Sequence, residues 1–285
     1  MTKIVFTEAH SKTVSLSFEA SEKLAEIQSP YQKIEVYQSL ELGKFFCLDG
    51  YLMITEKDEF IYHDMIVHVP MAVNLNIQNV LVIGAGDGGT VRELCRYAHI
   101  SQIDMVEIDQ MVVKVCQEYF PKMTASLKDP RVHLYFEDGL KFVQTKKHVY
   151  DLIIVDSTDP FSVGEGLFTQ AFYQDCYEAL SAQGILVNQH ESPFYEAYAL
   201  NMQRAHKRLV ETFPIAKVYQ AFIPTYASGH WLFGFASKSF DPIHDFKPDA
   251  WLELKLKTKY YNVDLHRASF ALPTYVQEKL EEGLK

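Results

Sequence analysis

The chain has 285 residues, 48% of them apolar, and a formal net charge of -10 at neutral pH. That length holds one large domain or two modest ones with ample core. The charge argues against nucleic acid and anionic membrane as partners and suits a cationic substrate. No apolar run reaches spanning length, and no N-terminal apolar segment resembles a signal peptide, so a cytoplasmic protein is expected. Cys47, Cys95, Cys116 and Cys176 are scattered without paired metal spacing and read as buried free thiols.

Residues 1–65 read as a small N-terminal antiparallel β domain. Residues 14–18 and 33–37 alternate apolar and polar side chains, and Leu42-Gly43 and Asp49-Gly50 are turn signals. Residues 66–285 read as one larger domain in which strands and helices alternate. Strands are expected at 79–83, 102–106, 131–135, 151–155 and 184–188. Helices are expected at 90–97, 109–120, 138–146 and 169–181. That succession predicts an α/β fold, a doubly wound Rossmann-type sheet with helices on both faces. A long amphipathic helix at 195–212 and strands at 215–219 and 231–236 follow. The last fifty residues, with Pro242, Pro248 and Pro273, read as irregular packing and short helices.

The segment from 79 to 109 is the most informative. An apolar strand runs into Gly84, Gly86, Gly88 and Gly89, and a second strand ends at Glu107 and Asp109. Glycines let a backbone turn sharply and approach a ligand, and a carboxylate about twenty residues on can accept hydrogen bonds from ribose. A nucleoside site is therefore expected. Asp87 lies inside the turn, where a pyrophosphate would be repelled and a cation attracted. A cationic nucleoside such as an S-adenosylmethionine derivative fits better than a dinucleotide.

Ligands of doubly wound sheets sit beyond the carboxyl ends of the strands. That rule gathers Asp87, Glu107, Asp138 and Asp156 around one pocket, with Ser157, Thr158 and Asp159 just after the last of them. The 189–192 segment, with Glu191, falls nearby. Clustered acids destabilise each other unless a cation joins them. No His/Asp spacing supports a metal. An organic amine is the other candidate, because its stem packs on rings and its ammonium heads favour ring faces. Tyr62, Tyr226 and Trp231 could supply rings, although each alone is more often core than site.

These residues resemble the polyamine aminopropyltransferase family, and among its members bacterial spermidine synthase. The resemblance covers nearly the whole chain: Leu48 to Gly50, Thr55 to His63, Gly84 to Glu93, Asp156 to Pro160, Glu191 to Pro193, Pro224 to Gly229, and the tail around Tyr260 and Ala268 to Pro273. It implies a methyltransferase-like fold and aminopropyl transfer from decarboxylated S-adenosylmethionine to putrescine, giving spermidine and methylthioadenosine. The nucleoside is a co-substrate, and no permanently bound cofactor or metal is implied. By resemblance Gln32, Glu107, Asp138 and Gly139 hold the nucleoside, while Tyr62, His63, Asp87, Asp159 and Tyr226 line the amine path. Asp156 is the expected proton acceptor. A homodimer or homotetramer is implied by analogy.

Two departures stand out. Val5 occupies the place of a tryptophan near the family's acceptor amine, so a roomier amine end is an expectation. Phe161-Ser162-Val163 replaces a Val-Gly-Pro segment, so no nucleoside contact is carried over to Val163. Cadaverine, agmatine and spermidine remain alternative acceptors. An amine N-methyltransferase using intact S-adenosylmethionine is the rival enzyme, and a polyamine-binding protein the rival without catalysis.

Overall fold

Six strands come first: β1 (Ile4–Ala9), β2 (Ser15–Ala20), β3 (Glu22–Gln28), β4 (Lys33–Ser39), β5 (Gly43–Leu48) and β6 (Tyr51–Thr55). The computed structural model describes residues 4–157 and 164–285. β1 and β2 form an antiparallel hairpin, and β3 to β6 form a four-stranded antiparallel meander. The hairpin covers one face of the meander through Phe6, Ala20, Tyr37, Phe45 and Cys47. The other face, with Ile34, Val36, Phe46 and Ile54, packs on a helix of the following region. Sandwiching on both faces explains why β4 and β5 are apolar beyond simple alternation.

Helix α1 (Glu59–Val73) comes next. It is followed by β7 (Asn79–Gly84), α2 (Gly89–Cys95), β8 (Gln102–Val106), α3 (Gln110–Tyr119), the short α4 (Pro121–Thr124) and β9 (Val132–Tyr135). Then come α5 (Gly139–Gln144), β10 (Tyr150–Asp156), α6 (Gln170–Ala179), β11 (Leu180–Gln189), α7 (Glu196–Thr212), β12 (Ile215–Phe222) and β13 (His230–Ser237). Three helices close the chain: α8 (Pro248–Glu253), α9 (Val263–Ser269) and α10 (Thr274–Leu284). The central sheet has seven strands in the order β12-β13-β11-β10-β7-β8-β9. Six run in one direction, while β13 is antiparallel to both its neighbours. This is the expected doubly wound sheet, with a mixed edge.

Helix α1 is the element that sequence patterning does not reveal. Its residues from Ile61 to Val73 are all buried, so it carries no polar stripe. A helix apolar all round belongs to a core and loses the amphipathic period. The expected division between residues 65 and 66 falls inside it. α1 packs on the central sheet, and Trp251, Tyr261 and Phe246 of the tail join the same core. Its buried Asp64 accepts the backbone N–H groups of Lys259, Tyr260 and Tyr261 at 3.0, 2.8 and 3.2 Å, which ties the tail to the helix. Among the described residues no helix is long and apolar enough to cross a membrane. Cys47, Cys116 and Cys176 are buried and free, and Cys95 is half-buried.

Candidate active site

The chain leaves β7 toward β8 on one side and arrives at β10 on the other, so a crevice opens where these two strands end. Gly84 and Asp156 pair across it. Gly84 has φ +90°, and a Cβ there would lie 2.0 Å from the Asp156 carbonyl oxygen. Only glycine permits that approach. The same carbonyl accepts the Ala85 N–H at 2.8 Å, which locks the glycine turn onto the end of β10.

The Asp156 side chain is gripped by two hydroxyls. Tyr62 donates to Oδ1 at 2.7 Å, and Thr90 donates to Oδ2 at 2.6 Å. Burial, and then the charge of Asp87, raise the Asp156 pKa against the pull of His63 and the two hydroxyls. A carboxylate so placed is a stronger base than one in water. Tyr62 reaches it from α1, with its ring against Tyr226 and Phe233.

Asp87 stands beside it. Its Oδ1 accepts the Gly89 N–H at 2.6 Å and lies 3.3 Å from His63 Nε2. The other His63 nitrogen, Nδ1, is 2.6 Å from Glu59 Oε2. Both Glu59 oxygens take a fork from Arg92 at 2.9 Å. Burial alone would lower the His63 pKa, but Asp87 and Glu59 outweigh it and raise it to about 10. Burial pushes Glu59 the other way from its partners, and His63 and Arg92 prevail, holding it at about 2. His63 is thus an imidazolium at neutral pH.

On the opposite flank Glu107 follows β8, and its Oε1 accepts the Asp109 N–H at 2.9 Å. Burial raises its pKa to about 7, with the nearby acids adding to the effect. Gly86 faces it: a Cβ there would meet Val112 at 2.6 Å and Glu107 at 3.0 Å. Gln32 arrives from the N-terminal meander and donates to Asp109 at 3.1 Å, beside Ser29 at 2.6 Å. Asp138 caps α5 by accepting the Leu140 N–H at 2.9 Å, and Gly139 packs on Ile83.

One pocket gathers Gln32, Tyr62, His63, Gly84, Gly86, Asp87, Glu107, Asp138, Gly139, Asp156, Ser157 and Tyr226. Trp231 also lines it, edge-on to Tyr226. Glu191 is elsewhere. It faces a second cavity with His190, Arg204 and Arg208, because the backbone turns at Glu191 with φ +68° and Gln189 takes the pocket position instead. Thr158, Asp159 and Val163 lie outside the described residues. Val5 is 56% exposed and does not line the pocket.

Sequence reasoning missed several residues. Thr90 holds Asp156. Glu8 reaches the pocket from β1 and accepts the Leu52 N–H at 2.8 Å. A signal existed for Glu8: it shares the inward face of β1 with Phe6, and a carboxylate on a buried face needs a reason. Glu59 and Arg92 left no such trace.

Comparison with known proteins agrees with this geometry. Residues 59–248 match the spermine/spermidine synthase domain, and residues 4–56 match the spermidine synthase tetramerisation domain. A polyamine aminopropyltransferase of Alkaliphilus oremlandii is 64% identical over 97% of this chain and 98% of its own. One from Clostridium perfringens is also 64% identical, over 97% of both chains. A crystal structure of spermidine synthase in complex with the transition state analogue AdoDATO superposes with a TM-score of 0.95 at 39% identity, covering 98% of this chain and 95% of that one. Spermidine synthase from Thermotoga maritima gives 0.92 at 38%, covering 98% and 94%. The chain belongs to the spermine/spermidine synthase family. It is an enzyme of the aminopropyltransferase class, with the methyltransferase-like fold of that family.

Proposed function

We propose that the enzyme moves the aminopropyl group of decarboxylated S-adenosylmethionine onto putrescine, giving spermidine and methylthioadenosine. One observation carries the reading: a half-buried carboxylate, Asp156, is held by two hydroxyls beside a second acid, Asp87, in a pocket walled by Tyr62, Tyr226 and Trp231. The glycine turn, Glu107, Asp138, Gly139 and Gln32 form the nucleoside side. Tyr62, His63, Asp87, Asp156, Ser157 and Tyr226 serve the amines, as do Thr158 and Asp159 by resemblance.

Putrescine is protonated at neutral pH, with each amine near the lysine reference of about 10.4. One proton must leave before the nitrogen can attack, and Asp156 accepts it, a role worth roughly 10²–10⁴ in rate. The C–N bond forms at the carbon beside sulfur as the C–S bond breaks. The electron pair stays on sulfur, and neutral methylthioadenosine leaves. Alignment of the two substrates supplies much of the remaining acceleration. Asp87 favours the decarboxylated donor, because its free oxygen meets an ammonium where intact S-adenosylmethionine also carries a carboxylate. Glu8 and Gln189 extend the polar lining. The match to a tetramerisation domain supports a homo-oligomer, dimer or tetramer, which light scattering measures directly.

The test is product analysis by mass spectrometry with decarboxylated S-adenosylmethionine and equal putrescine, cadaverine, agmatine and spermidine. Spermidine and methylthioadenosine are expected, with the rate down by about 10²-fold or more in Asp156→Asn. A preference for another amine would reassign the acceptor. Methylated amine formed from intact S-adenosylmethionine would overturn the reading.

A further inference from the structure

Glu59 and Arg92 do not line the pocket, yet an unbroken run of contacts joins them to it. Arg92 forks onto both oxygens of Glu59, Glu59 meets His63 Nδ1, and His63 Nε2 meets Asp87 Oδ1. The Gly89 N–H takes the same Oδ1 from the other side. Oδ1 therefore takes a hydrogen bond from Gly89 and an ion-pair contact from His63 that lacks hydrogen-bond geometry, and Oδ2 has no protein partner among the described residues.

We propose that Glu59 and Arg92 are positioning residues for aminopropyl transfer, acting through His63 to aim the carboxylate of Asp87. The inference rests on the pocket being an aminopropyl site. The ring of His63 is fully buried, so its charge depends on protein partners alone. The groups that face it are Glu59 and Tyr62 from α1, Asp87 from the glycine turn, Arg92 from α2 through Glu59, and Asp156 from β10. Nδ1 is hydrogen-bonded to Glu59 and Nε2 lies at ion-pair distance from Asp87, and a doubly protonated ring suits both carboxylates. Without Arg92, a half-buried Glu59 holds its charge at greater cost. Without charge on Glu59, the ring loses one of its two anions and releases Asp87. Asp87 then keeps only the Gly89 N–H, and its repulsion with Asp156 loses the opposing charge of His63.

Gly89 points the same way. A Cβ at this position would lie 2.2 to 2.5 Å from three atoms of the His63 ring. The first residue of α2 is therefore kept bare so that the imidazole can lie against the turn that holds Asp87.

The test pairs ring ¹⁵N NMR of the ligand-free full chain with steady-state kinetics on wild type, Glu59→Gln, Arg92→Met and Arg92→Lys. The His63 signals are assigned by their absence in His63→Gln. In wild type both ring nitrogens stay protonated above pH 8. In Glu59→Gln and Arg92→Met the ring titrates at least about one pH unit lower, and the donor KM rises about tenfold while kcat changes less. Arg92→Lys recovers part of both effects by restoring a point charge. An unchanged ring titration overturns the proposal. So does a uniform fall in kcat and both KM-derived specificities that follows a lower melting temperature, with Arg92→Lys no better than Arg92→Met. A wild type that turns over no amine overturns the functional reading instead, and the ring titration then decides the linkage by itself.

Discussion

His63 and His68 lie on the same helix, each sealed from solvent between two carboxylates, and they end in opposite conditions. His68 is 3.1 Å from Glu93 and 3.5 Å from Asp64 through Nε2, and its Nδ1 is 2.7 Å from the Tyr97 hydroxyl. Asp64 is closed by three backbone amides of the tail, Glu93 by Arg92 and Arg96, and Tyr97 by the Trp251 indole at 3.1 Å. Asp64, His68 and Glu93 are close enough to hold a metal ion, and each already has hydrogen-bond or ion-pair partners in the protein. The His63 assembly uses the same residue types, and among the described residues it leaves one oxygen, Asp87 Oδ2, without a protein partner. A saturated buried network holds a fold together. A network with one position left open recognises a ligand.

Breaking the saturated side has the largest expected effect. Asp64→Ala strands three backbone amides and removes an anion from buried His68, at a cost of about 3–5 kcal/mol. Denaturant melts should record that loss, while kcat per folded molecule stays near wild type. A large fall in kcat with unchanged stability would erase the distinction between the two histidines.

On the open side, Gly89→Ala is the sharpest probe. In an exposed helix the change would stabilise by up to about 1 kcal/mol. Here the new methyl displaces His63, and kcat/KM should drop by about 10²-fold, the scale of an ångström-sized misplacement. Near-wild-type kinetics would mean that the turn yields and that the ring contact carries nothing.

Linkage to pH probes the open assembly next. The His63 pKa rises from 6.5 to about 10 on folding, so its stabilisation is complete below about pH 6.5 and is lost as pH rises through 10. Glu59 falls from 4.5 to about 2, so its share is present above about pH 4.5 and is lost as pH falls toward 2. The melting temperature should decline between pH 6.5 and 10, and His63→Gln should flatten that slope. Equal slopes in the two proteins would show that the charge of His63 does not depend on its neighbours.

The smallest effect concerns Glu107. With a pKa of about 7 in the empty site, it takes a proton as pH falls below that value. Methylthioadenosine binding, followed by calorimetry, should weaken below pH 7 by up to about tenfold per unit. Affinity flat from pH 5.5 to 8 would remove Glu107 from the nucleoside contacts.

Much of this was legible in the sequence. The alternating strands and helices gave the sheet, and four strand-end acids pointed to one pocket, because in this architecture a strand end is a fixed address. The hidden parts share a cause. α1 is buried all round, so no polar face marks it. Glu8 reaches the pocket from the hairpin and Gln32 from the turn before β4, and the meander that carries both docks onto α3 through Ile34, Val36 and Phe46 rather than through any motif. Glu191 was drawn toward the pocket by its place after β11, and a single left-handed residue turns the chain away. Glu59 and Arg92 look like an ordinary solvated pair until the fold buries them.

The pocket lies along a seam. Glu8, Gln32 and the residues from Tyr51 to Ile54 form one wall, and the ends of the central strands form the other. A ligand that touches both walls joins them, so its binding energy is also docking energy between the two parts of the chain. Whatever loosens the seam, such as a clipped hairpin, weakens the binding of a ligand that touches both walls. Substrate, in turn, is the clamp that keeps the seam shut.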